Sequence, residues 1–89
     1  MISRTTERFR KAYAALPAHV QERARAAYAL FAADAAHPSL RFKQVHPTKP
    51  IFSARVGLAY RALCVRTDDA YVWFWIGTHA EYDRLIAGL

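Results

Sequence analysis

The sequence predicts an α+β domain in which an N-terminal helical hairpin packs on a twisted four-stranded antiparallel sheet and a short C-terminal helix closes the chain. Three observations carry this. Apolar residues recur at intervals of three and four through the first third of the chain. From Leu40 onward the period shortens to two, with short turn signals between the runs. Thr78 and Glu81 then stand at capping-box spacing directly after an aromatic run, which marks a fresh helix start. With 89 residues the chain reads as one domain over positions 1–89, large enough for a modest core and small enough that a stabilising partner makes physical sense.

The first helix is capped by Thr5 or Thr6, has Glu7 near its positive end, and lines up Phe9, Ala12, Tyr13 and Leu16 as one apolar stripe ending near Ala15. Pro17 suits the first position of a second helix, where Val20, Ala24, Ala27, Tyr28 and Phe31 again fall on one side. Arg8, Arg10, Lys11, Arg23 and Arg25 point outward. Turn residues from Asp34 to Ser39 end the helical region, because the residue before Pro38 is pushed away from helical geometry. Leu40-Arg41-Phe42-Lys43-Gln44-Val45 alternates, so Leu40 and Phe42 face the core while Arg41 and Lys43 share the opposite face.

A loop with two prolines follows and carries His46 and Lys49. Ile51–Val56 forms the second strand, Gly57-Leu58 its turn, and residues 59–66 the third strand. Thr67-Asp68-Asp69 turns again into an aromatic and β-branched run over 71–76, which suits an inner strand covered on both faces. Gly77 breaks that strand, and the last helix runs from His79 to Ala87. The other face of the sheet is expected to be open, with Arg41, Lys43, Arg55, Arg61 and His79 converging on it.

Composition narrows the function. A hydrophobic fraction of 54% excludes a disordered chain, and no apolar run is long enough for a membrane span. The first residues are polar and charged where an export signal would be apolar, so a cytoplasmic protein is expected. Cys64 is the single cysteine, which excludes an internal disulfide and a cysteine zinc site. The net charge is +6 at pH 7, and its distribution says more than its size. No acid lies between Asp34 and Asp68, an interval holding Arg41, Lys43, Lys49, Arg55, Arg61 and Arg66 among aromatics. That pattern fits phosphates of a nucleic acid, or an acidic protein competing for the same surface. His79, on the first turn of the last helix, is either a proton donor and acceptor near neutral pH or a capping and packing residue. Arg55 and Arg61 either stay free for an anion or pair with Glu81, Asp83 or an aspartate of the Thr67–Asp69 turn.

Ser53-Ala54-Arg55-Val56-Gly57, Tyr60-Arg61-Ala62-Leu63 and Trp75-Ile76-Gly77-Thr78-His79-Ala80-Glu81-Tyr82, in this order of elements, resemble the RelE/ParE superfamily of bacterial type II toxins over nearly the whole chain. The Gly-Thr-His segment is most similar to the YafQ branch, and the spacing of the two arginines to the RelE and YoeB branches, ahead of the ParE branch. The resemblance implies an endoribonuclease that cuts mRNA at the ribosome without a metal or other cofactor and is silenced by a cognate acidic antitoxin. By position, Arg55 and Arg61 then hold and neutralise the scissile phosphate, and His79 protonates the leaving oxygen. Lys43 and Arg41 bind the RNA backbone, and Tyr82 stacks on or orients a base. Two departures from the pattern stand out. No glutamate is available as general base, leaving His46 or Lys43 as substitutes, and Tyr82 lies close to His79 in sequence, where core packing is the other reading. The ParE branch implies a DNA gyrase inhibitor instead, and a catalytically silent module that binds only antitoxin or RNA is a third possibility.

Overall fold

In the computed structural model, which describes residues 2–89, a five-stranded sheet carries three α-helices. In chain order these are β1 (Ile2–Thr5), α1 (Glu7–Ala14), α2 (Ala18–Ala33), β2 (Lys43–Gln44), β3 (Ile51–Val56), β4 (Tyr60–Arg66), β5 (Ala70–Thr78) and α3 (His79–Ala87). The strands lie side by side as β1-β5-β4-β3-β2. The α+β class is as expected, but the sheet has one strand more and is mixed, because β1 runs parallel to β5 with Ile2 opposite Ala70 and Thr5 opposite Trp73. That strand leaves no mark in the sequence. Ile2-Ser3-Arg4-Thr5 neither alternates nor is apolar, Ile2 is half exposed, and the strand is held by backbone hydrogen bonds to a partner almost seventy positions away.

Thr6 caps α1, its hydroxyl accepting from the Phe9 amide at 3.1 Å, and Pro17 stands just before α2 rather than inside it. The two helices do not form the expected packed hairpin. α1 lies on β5 and α2 on β3, and between them the contacts are polar: the Gln21 side-chain amide donates to the Tyr13 carbonyl at 3.0 Å, and Arg25 donates to the Tyr13 hydroxyl at 2.6 Å. Alanines at 24 and 27 are too small to fill the space over the sheet. An apolar cavity of about 530 Å³ remains between the helices, lined by Phe9, Tyr13, Ala27, Tyr28, Phe31 and Trp73 and rimmed by Arg10 and Arg25.

The strand expected over residues 40–45 is also shorter. Pro38–Leu40 is a single 3₁₀ turn, and Arg41 follows it in the left-handed region at φ 46°, so only Lys43 and Gln44 pair with β3. Burial overrides alternation here. Leu40, only 1% exposed, is driven into the core by a compact turn rather than by an extended strand, and Phe42 stacks on Phe52 at 5.1 Å between ring centroids and meets Phe31 edge-on at 5.0 Å.

Side chains on the two faces of the sheet form two cores. Under α1 and α2 lie Phe31, Leu40, Ala54, Val56, Ala62, Cys64, Trp73 and Ile76. Under α3 lie Ile51, Leu63 and Tyr82, flanked by Phe74, Trp75, Leu85 and Ile86. The expected open face is therefore only partly open, because α3 covers half of it. Leu63 at 0% exposure is the centre of that second core. Burial pushes the Cys64 thiol up to about 12, so it packs as a small apolar residue without reactivity.

Gly77 does not end β5, which continues to Thr78. Its absent side chain makes room: a Cβ there would stand 2.6 and 2.9 Å from the ring of Trp75. Gly77→Ala should push that indole off its seat and cost about 1–3 kcal/mol, as overpacking does, measured by urea denaturation against the parent protein.

Candidate active site

Cross-strand register decides which basic residues meet. On the α3 side of the sheet, Arg55 of β3 stands opposite Arg61 of β4, and Arg61 stands opposite Gly77 of β5. One step along the strands, roughly 7 Å away, Lys43, Ser53, Leu63 and Trp75 form the next row. Tyr82 and its helix lie over that second row, while Arg55 and Arg61 of the first are half-buried. Gly77 is buried beneath the indole of Trp75 and the carboxylate of Glu81, which occupy the space a side chain there would need.

His79 stands beside this row for a local reason. Thr78 closes the end of β5 and caps α3: its hydroxyl accepts from the Glu81 amide at 3.2 Å, while Glu81 accepts from the Thr78 amide at 2.9 Å. The reciprocal box is complete, as its sequence spacing predicted, and His79 is the first helical residue. The His79 amide also donates to the Ala59 carbonyl at 2.8 Å, which ties the start of α3 to the β3–β4 turn, where Gly57 takes φ +64°. The imidazole is 46% exposed, and its Nδ1 lies 3.0 Å from Oδ2 of Asp83, one helical turn on. Edge-on contact with Tyr82, centroids 5.8 Å apart, holds the plane of the ring.

Neither arginine has an acidic partner. Among the described residues the ion pairs are Lys11–Glu7 and His79–Asp83, so the expected alternative of an ion pair at Arg55 or Arg61 does not occur. Each guanidinium is tethered instead by one backbone carbonyl: Arg55 Nε donates to Gly57 at 3.2 Å and Arg61 to Tyr60 at 3.0 Å. Partial burial pushes the Arg61 pKa below its ordinary value, Arg55 adds to this, Tyr82 opposes it, and Arg41 and Asp83 follow as smaller influences of opposite sign. A guanidinium stays charged despite such a shift. Two like charges directly opposite each other cost stability, and an anion bound between them would relieve it.

Arg41 reaches the same group by the left-handed turn that replaces the expected strand, and its charge is felt at Arg61. Lys43 is exposed in the neighbouring row. Tyr82 is spent differently. It is 5% exposed, and its hydroxyl donates to Ser53 Oγ at 3.3 Å, so it presents no open ring face to a base. Core packing, the second reading of that residue, is what the geometry shows. His46 is likewise occupied, with Nδ1 accepting from the amides of Thr48 and Lys49 at 3.1 and 2.9 Å. Arg66 lies over the ring of Phe52, 5.3 Å from its centroid, on the α1/α2 side and away from the others. Sequence reasoning missed Asp83 as a partner of His79, although the i, i+4 spacing on a helix is a readable signal.

The sequence matches the ParE-like toxin domain over residues 18–84. The chain belongs to that family, within the RelE/ParE superfamily of type II toxins. No curated protein matches it in sequence. Solved structures share its fold, three of them as follows. The RelB–RelE antitoxin–toxin complex from Methanococcus jannaschii matches with a TM-score of 0.72 at 17% identity, over 91% of this chain and 96% of that one. YafQ from E. coli matches at 0.67 and 13%, over 90% and 94%. A copper-bound mutant toxin from Helicobacter pylori matches at 0.64 and 14%, over 91% and 97%.

Two outcomes follow for this site. Arg61→Gln should leave folding unchanged or gain up to about 1 kcal/mol, because it removes a like-charge pair; chemical denaturation reads this directly. Glu81 is held below its ordinary carboxyl range, first by the Thr78 amide and then by the Thr78 hydroxyl. Its capping contribution is therefore present above the unfolded value near pH 4.3 and lost as pH falls through the lower folded value. Thermal melts from pH 6 to pH 3 should show a smaller acid-induced loss in Glu81→Gln than in the parent.

Proposed function

We propose that this chain is the toxin of a bacterial type II toxin–antitoxin pair and acts as a metal-independent, ribosome-associated endoribonuclease on mRNA. The observation that carries this is the pair Arg55 and Arg61, facing each other across β3 and β4 without an acidic partner, near the half-exposed imidazole of His79. In the proposed reaction the 2′-hydroxyl of one nucleotide attacks the adjacent phosphorus. A P–O2′ bond forms, the P–O5′ bond breaks, and the products are a 2′,3′-cyclic phosphate and a 5′-hydroxyl, with the 2′-hydroxyl proton passing to water. Arg55 and Arg61 bind the nonbridging oxygens as negative charge grows on them, a role suited to fixed guanidinium forks. His79 gives its proton to the departing 5′ oxygen. Lys43 and Arg41 hold the flanking backbone. A cytoplasmic site of action goes with an mRNA substrate.

The partner is proposed to be an acidic, partly helical antitoxin segment. The open apolar space between α1 and α2, with Arg10 and Arg25 on its rim, fits an amphipathic helix with acidic flanks. The likeness to the RelB–RelE complex supports a partner of this kind. Binding should raise the melting temperature by mass action.

Purified protein added to translating ribosomes with a defined mRNA should yield discrete cleavage ends, and Arg55→Gln or Arg61→Gln should slow cleavage by about 10²- to 10³-fold while remaining folded. His79→Gln keeps a polar side chain of similar size without a shuttled proton, so it should abolish growth arrest in an expressing host. A gyrase supercoiling reaction run in parallel separates the other readings. Intact mRNA with blocked supercoiling overturns the nuclease reading in favour of a gyrase inhibitor, and no effect in either reaction favours a silent binding module.

A further inference from the structure

An imidazole that donates a proton at position 79 stands in an unfavourable field. It opens a capped helix, whose N-terminus carries a partial positive charge of roughly +0.5, and Arg61 and Arg55 stand on the neighbouring strands of the sheet. Tyr82 packs against the ring, centroids 5.8 Å apart. Of the two carboxylates on the first turns of α3, Glu81 is consumed by the capping box, accepting from both the amide and the hydroxyl of Thr78 at 2.9 Å. Asp83 alone meets the imidazole, with Oδ2 at 3.0 Å from Nδ1.

We infer that Asp83 is a positioning residue for His79: it holds the proton on Nδ1 and thereby makes Nε2 the nitrogen that faces the reacting phosphate. The inference rests on the nuclease reading above. An ionised carboxylate can only accept hydrogen bonds. The Nδ1 atom must therefore be the donor in both protonation states of the ring, and Nε2 carries the exchangeable proton. The same contact fixes the ring's rotation, since it is anchored at one edge by Asp83 and at its face by Tyr82. A carboxylate on the far nitrogen of a working imidazole is a general device for choosing its tautomer. Here it is built into one helix by i, i+4 spacing, so no other element has to move to complete it.

The test pairs a spectroscopic readout with a kinetic one on Asp83→Ala, a substitution at an exposed helical position that should leave the melting curve in place. Nitrogen-resolved NMR of the histidine rings in the parent should show His79 protonated on Nδ1 throughout its neutral range, and Asp83→Ala should show a mixture of both tautomers. In the ribosome assay the variant should lose about 10- to 100-fold in kcat, the range typical of groups that orient a working imidazole, with KM unchanged. Asp83→Glu should recover part of the rate. A parent ring protonated on Nε2 instead overturns the inference, as does a cleaving parent matched by Asp83→Ala in rate. A parent that leaves mRNA intact defeats the nuclease reading itself, while the NMR comparison still decides whether Asp83 sets the tautomer.

Discussion

A single irregularity in β5 governs where everything else lies. Leu63 pairs with Trp75, but its neighbour Cys64 pairs with Trp73, so the ladder shifts by one residue and Phe74 is left over. In a regular strand Trp73 and Trp75 would share a face. With the bulge, Trp73 enters the core beneath α1 and α2, whereas Trp75 and Gly77 turn to the α3 side. Because a one-residue slip exchanges the faces of all that follows, this shift sends α3 and its histidine to the side on which Arg55 and Arg61 lie.

The two faces then serve different ends. The α1/α2 side carries most of the aromatic packing, with Phe31 at the centre of edge-on contacts to Phe42, Tyr71 and Trp73. Yet it is incompletely filled, since the helices stand apart over small alanines and the indole N–H of Trp73 is buried without a partner. The α3 side has the smaller core, Ile51, Leu63 and Tyr82, and next to it the charged row. Stability and function are thus separated by position: Tyr82 and Leu63 hold the helix down, and the residues one row further on are left to repel each other.

That repulsion is a cost to the sheet. An arginine pair without acids is a poor way to stabilise a sheet and a good way to bind a phosphate, and the acid-free stretch between Asp34 and Asp68 ensures that no carboxylate from the flanking strands can neutralise it. The nearby carboxylate of Asp83 makes its hydrogen bond with His79 rather than with either guanidinium. The site therefore combines two arginines without acidic partners and one imidazole tethered to Asp83.

The local features were legible in the sequence because they depend on neighbours a few positions apart. Ile51–Val56, the helix from His79 to Ala87 and the Thr78–Glu81 box lie where spacing and capping chemistry put them, and the pairing of Arg55 with Arg61 follows once the β3–β4 turn is placed. Tertiary structure decided the rest. The parallel strand Ile2–Thr5 depends on a partner across the whole chain, the turn at Pro38–Leu40 on the burial of Leu40, the splay of α1 and α2 on which strand each helix covers, and the burial of Tyr82 on its hydroxyl reaching Ser53. Periodicity says which residues avoid water along one element, but which face of a sheet they reach is set by register, and register is a property of two strands together.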